Sequence, residues 1–190
     1  MTNYKEKRPP AITDDARIFG PDDIHSVNSS VAMAEELVSN FYKMSASEWL
    51  HPKYDVKTRI DLTRDEIVDG PFAQVIRYEG QLKDTTLGST SYDFYKICLQ
   101  DHAILSALEM EPGLEIFPFV LYIITHELIH IVRFSKFLQN FDATDEEKME
   151  EEMRVHKYTH DILRLVSLDG MPFVLEFYRR WRAPIDGLKS

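Results

Sequence analysis

Apolar side chains crowd most densely between about residues 114 and 140, where they occur on every side of a 3.6-residue period. A helix that is apolar all round is a buried one, so this stretch predicts the central helix of the fold. Pro112-Gly113 punctuates the chain before it, and the polar run Phe141 to Glu147 ends it. Thr144 and Glu147 stand three apart, the spacing of a capping box, and start a second helix to about Leu168. Asp169-Gly170 stops that helix, and Pro172 to Trp181 reads as a last short one. Upstream, Ser29-Ser30 caps a helix that runs to about Lys43, and residues 45 to 70 carry mixed signals with a break at His51-Pro52.

Alternation replaces the helical period in two segments. Asp93 to Gln100 places Tyr95, Ile97 and Leu99 on one face and Phe94, Lys96, Cys98 and Gln100 on the other, a half-buried strand. Phe72 to Tyr78 is rich in β-formers, follows the turn Asp69-Gly70-Pro71 and ends at Gly80, and Leu82 to Ser91 between the two segments reads as a loop. The expected fold is α+β: one mainly helical domain with a small sheet packed on the central helix. Residues 1–22, polar and without period, are expected to form an extended or mobile arm, and 23–190 the domain.

Composition narrows the function. The 190 residues suffice for one domain with a sizeable core. A net charge of −10 argues against nucleic acid and against anionic membrane. The single cysteine, Cys98, allows no internal disulfide and lies mid-strand, where a packing role is expected. The opening residues lack the apolar core of a secretory signal, so a cytoplasmic location is expected.

The chemistry gathers in His126-Glu127-Leu128-Ile129-His130, which fits H-E-x-x-H. Residues four apart on a helix share a face, so both imidazoles can reach one ion and Glu127 lies close to it. Zinc lowers the pKa of its bound water to about 7, which supplies hydroxide at neutral pH. Two histidines and a glutamate within so apolar a helix need a partner, and a metal is the simplest. Catalytic zinc usually has three protein ligands. On the next helix Val155, Leu163, Val166, Ile162 and Met149 define an apolar stripe with Glu152 near its middle, so Glu152 is the expected third ligand. His156, one turn on, is an alternative ligand or a hydrogen-bonding partner of one, and His160, a turn later, a possible oxyanion stabiliser. Tyr158, Tyr178 and Arg133 are further candidates for that role, while Glu150 and Glu151 read as a solvated charge run.

With these residues the chain resembles the zincin metallopeptidases, and among them the gluzincins, over about residues 92 to 160. The resemblance implies one Zn2+ held by His126, His130 and Glu152, with Glu127 as general base in peptide or amide hydrolysis by a metal-bound water. It also implies a peptide or protein substrate added in extended form along strand 94–100. His156 departs from the aspartate usual four residues after the ligand glutamate, and Arg133 stands where a metzincin has glycine. Two other readings use the same residues. A carboxylate-bridged di-iron protein would share two irons among Glu127, His130, Glu152 and His156, although it calls for a second E-x-x-H. A non-catalytic binding or regulatory protein would keep the metal as structure.

Overall fold

In the computed structural model the described residues are 17–49, 53–82, 90–136, 138 and 143–179. They form a mainly helical α+β domain built on one buried helix. Its elements are α1 (Pro21–Tyr42), α2 (Ala46–Trp49), β1 (Lys53–Lys57), two short 3-10 turns, β2 (Ala73–Leu82), β3 (Thr90–Leu99), α3 (Asp101–Met110), α4 (Ile116–Ser135), α5 (Asp145–Leu163) and α6 (Met171–Phe177).

Helix α4 is the centre, as its all-round apolar pattern requires. Leu121, Ile124, Leu128, Ile129 and Ile131 are fully buried, each stabilising the fold by about 1.5–3 kcal/mol relative to exposure. It is long and apolar enough to cross a bilayer, but 83% of that window lies inside the protein, as befits a core helix. α1 lies along α4 through Val27, Ser30, Ala34 and Val38, whose small side chains permit close approach. Ser30 Oγ lies 3.2 Å from the Phe117 carbonyl and 2.8 Å from the Ser26 carbonyl, sharing its one hydrogen between the two helices. The other sides of α4 are covered by α5, α6 and the sheet. Phe72, Phe119, Phe177 and Tyr178 form an edge-to-face aromatic cluster that ties the start of β2 to α4 and α6.

The sheet has the order β1-β3-β2. β3 pairs antiparallel with β2 from Ala73↔Leu99 to Leu82↔Thr90, and parallel with β1 from Lys53↔Phe94 to Lys57↔Cys98. Tyr95, Ile97 and Leu99 are buried, as their alternation predicts. Cys98 is also buried on the opposite face, where Glu66 and Lys96 form an ion pair at 2.6 Å and Tyr78 donates to Glu66.

Several boundaries differ from expectation. α1 begins at Pro21 because Gly20-Pro21-Asp22-Asp23 forms its own start, with Asp23 accepting from the Gly20 amide at 2.9 Å. Phe19 is buried and its amide donates to Asp101, so the chain from Phe19 onward is packed rather than a mobile arm; residues 1–16 lie outside the described residues. β1 and α3 were not expected: Lys53-Tyr54-Asp55-Val56-Lys57 is short and polar, and α3 follows a strand without a break. Gly170 takes a left-handed φ of 78° and ends the turn before α6, as expected of the Asp169-Gly170 stop.

Candidate metal centre

His126 and His130 are presented on adjacent turns of α4, buried to 6% and 8% exposure. Across from them α5 carries Glu152 and His156, likewise one turn apart. The entry of α5 is fixed by its capping box: Thr144 Oγ1 accepts from the Glu147 amide, and the Glu147 carboxylate from the Thr144 amide.

These four side chains converge. Glu152 Oε1 lies 2.9 Å from His126 Nε2 and 3.4 Å from His156 Nε2. Its second oxygen lies 3.1 Å from His130 Nε2. The Nε2 atoms of His126 and His130 are 3.2 Å apart. Hydrogen bonding alone serves this arrangement badly. If both imidazoles direct Nε2–H at Glu152, two N–H groups confront each other at that distance; if one accepts from the other, a carboxylate contact loses its hydrogen. Donors at 2.0–2.1 Å around a tetrahedral ion lie about 3.4 Å apart, close to these pair separations; among the described residues the set whose donor atoms all fall within 4.8 Å of one another is His126, Glu152 and His156, without His130. The donor set, imidazole with carboxylate, fits a zinc-like divalent ion.

Electrostatics agree with ligand chemistry. Burial lowers the pKa of His126 to about 4 against the opposing pull of Glu152, so its ring is neutral with a lone pair at physiological pH. Burial pushes the Glu152 carboxyl up, but the surrounding imidazoles outweigh it and hold the group well below the usual carboxylate range. The Glu152 side chain remains 48% exposed, on the cleft side. Glu127 is half-buried and, through burial, is pushed up to about 7, near where a general base works at neutral pH. His126 Nδ1 is buried with no hydrogen-bond partner among the described residues, whereas a ligating imidazole usually has its second nitrogen held.

A cleft flanks the four residues on both sides. One recess of about 180 Å³ is mostly apolar and lined by Phe72, Ala73, Tyr122, Ile123 and Tyr178 together with His126, Glu127 and Glu152. The other, about 400 Å³, is lined by Gln74, Val75, Phe134 and Lys148 with His126, His130 and Glu127. Pro71 and Ala73 border both. The strand that faces the cleft is therefore β2. Strand 94–100, expected to offer an edge to an extended peptide, is the central strand, and β1 occupies the side that would have been free.

The remaining candidates fall elsewhere. His160 lies beside Asp161 at 3.7 Å and lines neither recess. Arg133 is buried and forks onto Glu151, with its guanidinium 5.5 Å above the Tyr158 ring. Glu151 is thus a buried partner and not part of a solvated run, while Met149, assigned to the apolar stripe, is 52% exposed. The buried face of α5 is Glu151, Val155, His156, Thr159, Ile162 and Leu163. Glu152 sits at its margin, where a ligand can meet both the core histidines and the cleft. Of the oxyanion candidates only Tyr178 borders the cleft, stacked on Tyr122 with centroids 3.9 Å apart. Tyr122 itself was passed over; its signal was the i, i+4 series Tyr122-His126-His130.

No protein-family model, curated protein or solved structure matches the chain.

Proposed function

We propose that the chain is a zinc-dependent hydrolase that cleaves a peptide or amide bond, with His126, His130 and Glu152 holding the ion and Glu127 serving as general base. The observation that carries this reading is the meeting of the His126 and His130 Nε2 atoms at 3.2 Å over one shared carboxylate. A zinc ion held by those donors would supply Lewis acidity and bring deprotonation of water into the neutral range.

The chain's own residues supply the rest. Glu127 borders both recesses, so it stands at the point where a bond spanning the cleft would be cut. It takes a proton from the attacking water as the water oxygen bonds to the carbonyl carbon. It then delivers that proton to the amide nitrogen as the C–N bond breaks. The mostly apolar recess accommodates an apolar side chain, and the edge of β2 offers backbone groups to an extended chain. Such a cleft open at Glu127 favours turnover over a purely structural metal. The convergence of the donors on a single carboxylate favours one ion over a di-iron pair.

The test is Glu127→Gln in the zinc-loaded protein, assayed on a mixed peptide library by mass spectrometry. The variant is expected to keep one zinc per chain and lose cleavage by at least about 100-fold, the usual contribution of a positioned base. Cleavage at the parental rate would refute the assignment.

A further inference from the structure

We propose that the larger recess selects a carboxylate beside the scissile bond, and that Lys148 is the residue that recognises it. The proposal rests on the hydrolase reading above and names the class of substrate. It begins with a contrast between the two recesses that meet at Glu127. Among the described residues, the wall of the smaller recess holds no lysine or arginine. The wall of the larger one holds a single cation, Lys148.

Helix α5 explains why that ammonium is available. From Asp145 to Glu152 it is the one cation among six carboxylates, and partners three or four positions along a helix ordinarily neutralise such a charge. Here those partners are taken. Glu151, three residues on, receives Arg133 and Arg154. Glu152, four residues on, faces His126, His130 and His156. Glu147 turns back onto Thr144 in the capping box. Lys148 forms no ion pair among the described residues, and it borders the recess one helical turn before Glu152.

The charges of the cleft then sort substrates. Glu127 and Glu152 bring two carboxylates to it; a divalent ion offsets them, and Lys148 leaves one positive charge in excess. A substrate carboxylate in the larger recess meets that excess as attraction, and a lysine side chain meets it as repulsion. With an apolar side chain in the smaller recess, the preferred substrate is apolar on one side of the cut and anionic on the other. The anion is the side chain of Asp or Glu, or the terminal carboxylate of the peptide. Lysine, a point charge on a flexible stem, serves either without a fixed geometry.

The probes are acetylated, amidated peptides centred on Leu-Glu, Leu-Gln or Leu-Lys and on the reversed pairs, with Leu-Gln also as a free acid ending at Gln. Zinc-loaded wild type should cleave the Glu peptide about 5-fold better than its Gln counterpart, the upper value for a solvent-reached ion pair. The difference should lie in KM and fade in 1 M salt. Lys148→Glu should reverse the order, so that Lys peptides exceed Glu peptides; Lys148 is exposed, so the substitution leaves the core intact. A preference confined to the free acid assigns the terminal carboxylate, and one confined to amidated Glu peptides the side chain. Fluorescence polarisation of the labelled peptides on zinc-loaded Glu127→Gln should give the same ranking without turnover. Equal treatment of Glu, Gln and free-acid peptides, or a preference that survives Lys148→Glu, would overturn this proposal and leave the hydrolase reading standing. A chain that binds zinc and cleaves nothing overturns the hydrolase reading, and the polarisation ranking then decides this one. A chain that takes up no metal overturns both.

Discussion

The buried pair Arg133–Glu151 ties α4 to α5 one turn beyond His130 and directly beside Glu152, and breaking it should be costly in an asymmetric way. Both side chains are nearly excluded from solvent, at 8% and 6% exposure. Arg133 engages both carboxylate oxygens of Glu151 through Nε and a terminal nitrogen. Removing one partner of such a pair costs about 3–5 kcal/mol because a buried charge is left behind. The two deletions are unequal. Without Arg133, Glu151 still accepts from Arg154, which reaches solvent at 45% exposure, so Arg133→Met should fall near the lower figure. Without Glu151, Arg133 retains the Leu138 carbonyl at 3.4 Å, the Tyr158 ring and the Tyr42 hydroxyl but no anion, so Glu151→Gln should fall near the upper. That is a large share of a typical stability of about 5–15 kcal/mol. Replacing both by apolar residues should recover most of the loss. Urea denaturation of metal-free protein, read as midpoint and slope, measures all three. If each single variant lies within about 1 kcal/mol of the parent, or if Arg133→Met is the worse, the pair does not bear the load assigned to it.

Two further perturbations follow from buried titratable groups. Glu127 has a folded pKa raised to about 7 from a reference of 4.5, so ionising it destabilises the metal-free fold as pH rises between those values. Metal-free Glu127→Gln should therefore be more stable than the parent at about pH 8, by up to about 3 kcal/mol, and equal to it near pH 4; equal stability at both would show that Glu127 is solvated. Burial pushes the Cys98 thiol up to about 11, so it should resist alkylation at neutral pH in the native chain and react only on unfolding, and rapid native labelling would contradict its placement.

How much of this was legible beforehand depended on the length scale of the signal. The central helix, the capping box of α5 and the alternation of Tyr95, Ile97 and Leu99 are local patterns, and each element formed where the pattern lay. The four converging residues were legible for the same reason, since i, i+4 spacing on two helices is a property of each helix alone. What the sequence did not reveal depends on contacts distant along the chain. β1 is too short and polar to announce itself, yet it makes β3 central and transfers the exposed edge to β2. Glu151 looked solvated because its partner Arg133 lies 18 residues away on another helix. The stripe on α5 was rotated by including Met149, an apolar residue that the fold leaves exposed.

The central claim, one divalent ion held by His126, His130 and Glu152, is tested most directly by calorimetric titration of Zn2+ into chelator-treated protein. The geometry predicts saturation at a single equivalent per chain and loss of that uptake in His126→Ala with the fold retained. A wild-type chain that takes up no zinc, or a His126→Ala chain that binds it as tightly, would contradict it.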